Sequence, residues 1–274
     1  MPLTRRQYQL RRWAWVLPIA GLYLLALALE RRWLVAGAVA WGVGVTISHW
    51  LHTRALDQRL QALARTLVRD GDPFVAARSL EAVVADARAY PGFHSVALLL
   101  LGIARARGGD AEGAIELFYV VHGADWLDNR QGWLSWLLPW TATMHAVRGE
   151  LDRAENWLAE ARARLPANKR ESLVACEALV ALRRGRPEEA IERIDAYRTA
   201  HPDEGHGAAQ AHFAVLRAFA CEVAGRPLPD GEVQALVAAR MTAPGRALPL
   251  ECWWGEFAAF LERHAPRSGT RATG

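Results

Sequence analysis

The chain has 274 residues, 52% of them apolar, with a mean hydropathy of −0.01 and a formal charge of +4. Thirty-two of its 33 basic residues are Arg, and after residue 70 they are interleaved with acids. This excludes the continuous basic stripe of a nucleic-acid site, and the Arg and Ala bias reads as that of a GC-rich genome. Three cysteines, Cys176, Cys221 and Cys252, are odd in number and lack CxxC spacing. They argue against a disulfide framework or a zinc site and fit a reducing compartment.

Met1–Arg12 is a basic flank with Arg5, Arg6, Arg11 and Arg12. Trp13–Leu29 then runs 17 residues without charge, Glu30–Arg32 interrupts, and Trp33–Trp50 runs 18 residues without Asp, Glu, Lys or Arg. At a helical rise of 1.5 Å each run reaches about 26 Å, near the lower limit for crossing a bilayer core. A second apolar run following at once, with no small-residue cleavage site between, favours a two-helix transmembrane hairpin (13–29 and 33–50) over a signal peptide. Length, continuity and flanking charge argue against a buried soluble core. Trp13 and Trp50 would lie at one interface and Trp33 at the other. Ala36, Ala40, Gly44 and Ser48 recur every four residues as a small-residue packing stripe. Arg54, Arg59, Arg65 and Arg69 follow the second run, so eight arginines flank the hairpin outside against two in its turn. That asymmetry expects both termini, and everything after residue 50, in the cytoplasm.

From residue 55 a repeated pattern takes over. Gly71, Gly109, Gly149, Gly185 and Gly225 are spaced 38, 40, 36 and 40 residues apart. Five residues after the first four stand Ala76, Ala114, Ala154 and Ala190; four further on stand Leu80, Phe118, Leu158 and Ile194. The fifth unit departs, with Asp230 at the alanine position. Pro166 and Pro202 close the third and fourth units. The pattern predicts stacked helix–turn–helix units over 55–241, a capping helix at 249–264 with Trp253, Trp254, Phe257 and Phe260, and a disordered tail at 265–274.

Across Leu56–Met241 this pattern resembles the tetratricopeptide repeat (TPR) family, with units somewhat longer than the usual length of roughly 34 residues. The fold class expected is therefore all-α: an N-terminal transmembrane hairpin, an α-solenoid of about five TPR-like helical hairpins, and a capping helix. The resemblance implies a superhelix whose concave face holds a peptide or protein, and it implies no chemistry. In such repeats ligand contacts come mainly from the first helix of each unit. The register then places Gln58, Gln61 and Arg65 on that face in the first unit, Trp136 and Thr143 in the third, Ser172 in the fourth, and His212 and Phe219 in the fifth. With Lys169 the only lysine, the clamp that some members use for a terminal carboxylate is not visible, and an apolar or amphipathic partner segment is expected.

Gly123–Trp140 is the unusual stretch, with Trp126, Trp133, Trp136 and Trp140 within fifteen residues. Trp is enriched at binding hot spots and bilayer interfaces. The helical spacing of Trp133, Trp136 and Trp140 also suits a groove between two units, which leaves Trp126 as the most exposed. No Walker loop, GxGxxG, GxSxG or HExxH occurs. His201, Asp203, Glu204, His206 and His212 gather metal-capable side chains at poor spacing, as do His122, Asp125 and Asp128 more loosely. No catalysis, metal or cofactor is expected. The residues expected to bind a partner are Arg65, Trp126, Trp136, His212 and Phe219. The function expected is a scaffold that recruits a protein to the bacterial inner membrane. The alternative is an accessory subunit that contacts an integral membrane enzyme or transporter through the hairpin.

Overall fold

The structure is a computed structural model. It describes Ala20, Gly21, Leu24 and residues 32–69, 72–124, 126–127, 131–200, 208–226, 228–241 and 248–265. Every regular element among them is helical. In chain order these are α1 (Arg32–Arg69), α2 (Pro73–Asp86), α3 (Pro91–Arg107), α4 (Ala111–His122), α5 (Gln131–Val147), α6 (Leu151–Arg164), α7 (Val174–Arg183), α8 (Pro187–Ala200), α9 (Ala208–Val223), α10 (Asp230–Met241) and α11 (Gly255–His264). Short 3-10 turns stand at Ala87–Ala89, Ala167–Leu173 and Leu250–Cys252.

The repeated glycines end helices in one way. Gly109, Gly149, Gly185 and Gly225 have φ of 93°, 79°, 70° and 69°, a left-handed conformation that costs glycine nothing and other residues strain. At each, two reversed hydrogen bonds close the helix. The Gly109 and Asp110 amides donate to the Ala106 and Arg105 carbonyls at 3.1 and 2.9 Å, and Gly185 and Arg186 donate to Leu182 and Ala181 at 2.9 Å each. This is the Schellman arrangement, repeated four times. The following helix is then capped: the Asp110 carboxylate accepts from the Gly113 amide at 2.8 Å. In the first unit the Asp72 carboxylate accepts from Phe74 at 2.8 Å, with Pro73 at the first helical position.

The odd-numbered helices α1, α3, α5, α7 and α9 pack each against the next, and α2, α4, α6 and α8 each lie over the junction of two of them. The inner row is buried nearly all round, as in Ser95–Ala104 of α3, whereas α6 buries one stripe, Ala154, Trp157, Leu158 and Ala161. The alanines Ala76, Ala114, Ala154 and Ala190 are all buried, and so are Leu80, Phe118, Leu158 and Ile194. A small residue lets the covering helix approach, and the large one four residues later fills the junction beneath it. At Gly102 the approach of α4 to α3 is close, since an added Cβ would lie 2.5 Å from the Phe118 ring.

Helix α1 is unbroken for 38 residues, about 57 Å at the helical rise. Its second half buries Leu56, Leu60, Ala64 and Leu67 on one face against α2 and α3. Its first half exposes Val39, Trp41, Val43, Val45, Ile47, Trp50 and Leu51 around the whole helix, with Trp41 69% exposed. Among the described residues no helix is long and apolar enough to cross a membrane. The first expected span, 13–29, lies outside them apart from Ala20, Gly21 and Leu24. The stripe Ala36, Ala40, Gly44 and Ser48 lies along the exposed half of α1.

The fourth unit differs from expectation. Sequence places its first helix over about 170–184; the structure has a 3-10 turn at Ala167–Leu173, opened by the Lys169 amide donating to the Pro166 carbonyl at 2.9 Å, and α7 begins only at Val174. The terminal helix folds over α9, where Phe219 meets Trp254, Phe257 and Phe260 at ring distances of 4.9, 5.3 and 5.3 Å.

Candidate functional site

The expected binding residues divide by burial. On α1, Asp57, Gln61 and Arg65 form a polar row one turn apart, with Gln61 Nε2 donating to Asp57 at 2.8 Å and Arg65 to Gln61 at 3.4 Å. Gln58, Gln61 and Arg65 are exposed. Trp126 is half-buried. Trp136 packs edge-on to Trp133 at 5.8 Å, and both rest partly buried on the core beside Trp140. Thr143 turns its hydroxyl to the Pro139 carbonyl at 2.8 Å, within α5. Phe219 is only 2% exposed, so it is a core residue held under the terminal helix and not a contact surface. The side chains of Ser172 and His212 lie outside the described residues, as does the histidine-rich turn 201–207.

A polar seam that the sequence does not announce joins α4, α5 and α6. The Glu150 carboxylate, just before α6, is 2.8 Å from His145 Nδ1, and the His145 Nε2 is 3.1 Å from the Tyr119 hydroxyl. The imidazole is 1% exposed, whereas Tyr119 is 45% exposed. With Nδ1–H donating to the carboxylate, Nε2 is left to accept the tyrosine proton. Burial pushes the His145 pKa below its ordinary value, only partly offset by Glu150. Burial raises the Glu150 carboxyl, but hydrogen bonds from His145 and Arg153 and the charge of Arg148 outweigh it and hold the group below its ordinary value. Trp157 stands edge-on to both Tyr119 and His122, at 5.6 and 4.7 Å. His122 continues the seam to Glu160 at 2.9 Å, which Arg164 also meets at 2.6 Å.

The next junction is held by ions instead. Glu177 of α7 reaches between Arg162 of α6 and Arg193 of α8 at 2.6 and 2.7 Å, and Arg184 ties the end of α7 to Asp152 and Glu155. These pairs neutralise one another within the pocket lined by Arg162, Glu177, Arg186, Glu189 and Arg193. Burial pushes the Cys176 thiol up to about 12, so it stays protonated as a packing residue. Among the described residues no three His, Cys, Asp or Glu side chains come together as a metal cluster.

Set against known proteins, the chain matches no family model, and no curated protein and no solved structure is significantly similar to it. The geometry described above is therefore the ground for a functional reading.

Proposed function

We propose that this chain is a membrane-anchored helical-repeat scaffold, with a TPR-like α-solenoid that binds a protein partner and recruits it to the bacterial inner membrane. The observation that carries this reading is α1. One unbroken helix is apolar and open on all sides over its first half and is the first packed element of the repeated body over its second. Apolar side chains open around a whole helix lower their free energy by leaving water. The apolar run 13–29 would supply the second arm of the hairpin. The recurrence of glycine turn, buried alanine and large apolar residue supports the TPR-like reading, since stacked hairpins of that kind would present an extended surface. Binding there brings a client to the membrane and raises its effective concentration for reaction with other membrane-held proteins.

The test is crosslinking of the full-length protein in its native membrane, with mass spectrometry, beside a chain lacking residues 1–52. A scaffold retains the same protein partner through the repeats in both. Partners captured only when residues 1–52 are present would transfer the function to the hairpin and make the chain an accessory subunit of an integral membrane complex. That second reading rests on the stripe Ala36, Ala40, Gly44 and Ser48, which is exposed along α1.

A further inference from the structure

The direction of each helix divides the connections of the body into two edges. The glycine turns lie on one. Phe74, at the start of α2, comes within 3.4 Å of where a Cβ at Gly108 would stand, and Arg183 at the end of α7 donates to the Ala146 and Val147 carbonyls at the end of α5. The first half of α1 leaves from the other edge. Tyr90, between α2 and α3, stacks on His52 at 5.0 Å and tilts against His49 at 5.2 Å. Arg164 at the end of α6 is 3.4 Å from His122 at the end of α4, so the connections after α4 and α6 share this edge.

The two edges differ in their indoles and basic residues, although at its first turn the far edge exposes Phe74 and Val75, 62% and 60%. The arm-side edge carries Tyr90, Phe93, Trp126 and Trp133, all half-buried, and the exposed Lys169 and Arg170. The turns Gly108–Asp110 and Arg148–Glu150 on the far edge have no tryptophan within six residues. Amphipathic rings, half covered by their own protein and half open, are suited to the headgroup layer of a bilayer, and basic side chains there meet anionic lipid. Arg54 lies over the Trp50 ring at 5.1 Å, at the same level of α1 as His49 and His52. Between Trp50 and Arg69 the helix holds no Gly or Pro, so the arm has no hinge that would let the body turn away.

We infer that the arm-side edge, through Tyr90, Trp126, Trp133 and Arg170, docks on the headgroup layer of a phospholipid bilayer containing anionic lipid. This rests on the anchored reading and adds an orientation to it: the body lies against the membrane, with the glycine turns facing away. Asp125 and Asp128 flank Trp126, so the indoles supply the contact there and Lys169 and Arg170 supply its preference for anionic lipid.

The test places a photoreactive p-benzoylphenylalanine in the full chain, in vesicles of phosphatidylethanolamine and phosphatidylglycerol, at position 126 or 133, and at 74, 110 or 186 on the far edge. Lipid adducts are expected at 126 and 133 and none at 74, 110 and 186. Phe74 is the sharpest control, because it is 62% exposed and just as apolar. In the unaltered chain, amide exchange over 123–130 should slow in vesicles relative to detergent. Absence of adducts at 126 and 133 and unchanged exchange, in protein that stays with the vesicles through an alkaline carbonate wash, would overturn the docked edge and leave the anchor standing. An adduct at 74 as strong as that at 126 would overturn it equally. Release of the protein by the wash would remove the anchor itself, and this inference with it.

Discussion

Replacing Gly102 with Ala tests the close approach of α4 to α3 with a single methyl group. In an open helix interior Gly→Ala stabilises by about 1 kcal/mol, because glycine loses more backbone freedom on folding. Here the new Cβ would stand 2.5 Å from one Phe118 ring carbon and 2.9 Å from another, with Phe118 fully buried. The ring has no free space to swing into, and inserting a methyl group into a packed core costs about 1–3 kcal/mol. The clash therefore offsets the propensity gain, and Gly102→Ala is expected to destabilise by about 1 kcal/mol net, a fall in Tm of roughly 2–4 °C for a chain of this size. Gly231→Ala, at an exposed glycine with open space around its Cβ, should be neutral or slightly stabilising. The assay is thermal and urea unfolding of the full chain in mild detergent, followed by circular dichroism. Phe118→Leu should couple to Gly102→Ala favourably by about 0.5 kcal/mol or more, since the smaller side chain gives the methyl room. A gain in stability from Gly102→Ala matching that at an open glycine would refute the packing described.

Four further outcomes follow. Gly149→Ala, at φ 79°, should cost about 1–2 kcal/mol by placing a Cβ in the left-handed region, read as a lower urea midpoint. Stability should fall as pH drops below the ordinary His value. The unfolded state then binds a proton that His145 and His94, both depressed by burial, do not yet accept, and the lowered Glu150, Glu160 and Glu222 extend the loss to more acid pH. His145→Gln should flatten the upper part of that profile, and an unchanged profile would count against the buried imidazole. Arg65→Glu should weaken partner capture in a pull-down while leaving the circular dichroism spectrum intact; retained capture would remove Arg65 from the binding surface. Gly44→Leu should leave a pure anchor working and disrupt a subunit that packs through its hairpin, as judged by co-purification of the membrane partner.

The repeated body was legible because its signals are local. Gly109, Gly149 and Gly185, each with an alanine five residues later and a large apolar residue four beyond that, are the residues that set a Schellman turn and a close helix crossing. The eight apolar side chains at these recurring positions are all buried. Residues 51–69 hold no Gly or Pro, which fits the unbroken passage of α1 into the body. What escaped is long-range. Phe219 looks like an inner-face residue in its own repeat, and only the fold-back of the terminal helix buries it. The seam from Glu150 through His145 to Tyr119 joins residues on different helices, and neither spacing nor composition marks them.

Alkaline carbonate extraction of native membranes tests the central claim most directly, applied to the full-length chain and to the chain lacking residues 1–52. The account predicts that the full chain stays in the membrane pellet while the shortened chain, whose exposed apolar arm is gone, moves to the supernatant. A full chain released by carbonate, or a shortened chain retained as firmly as the whole, would contradict it.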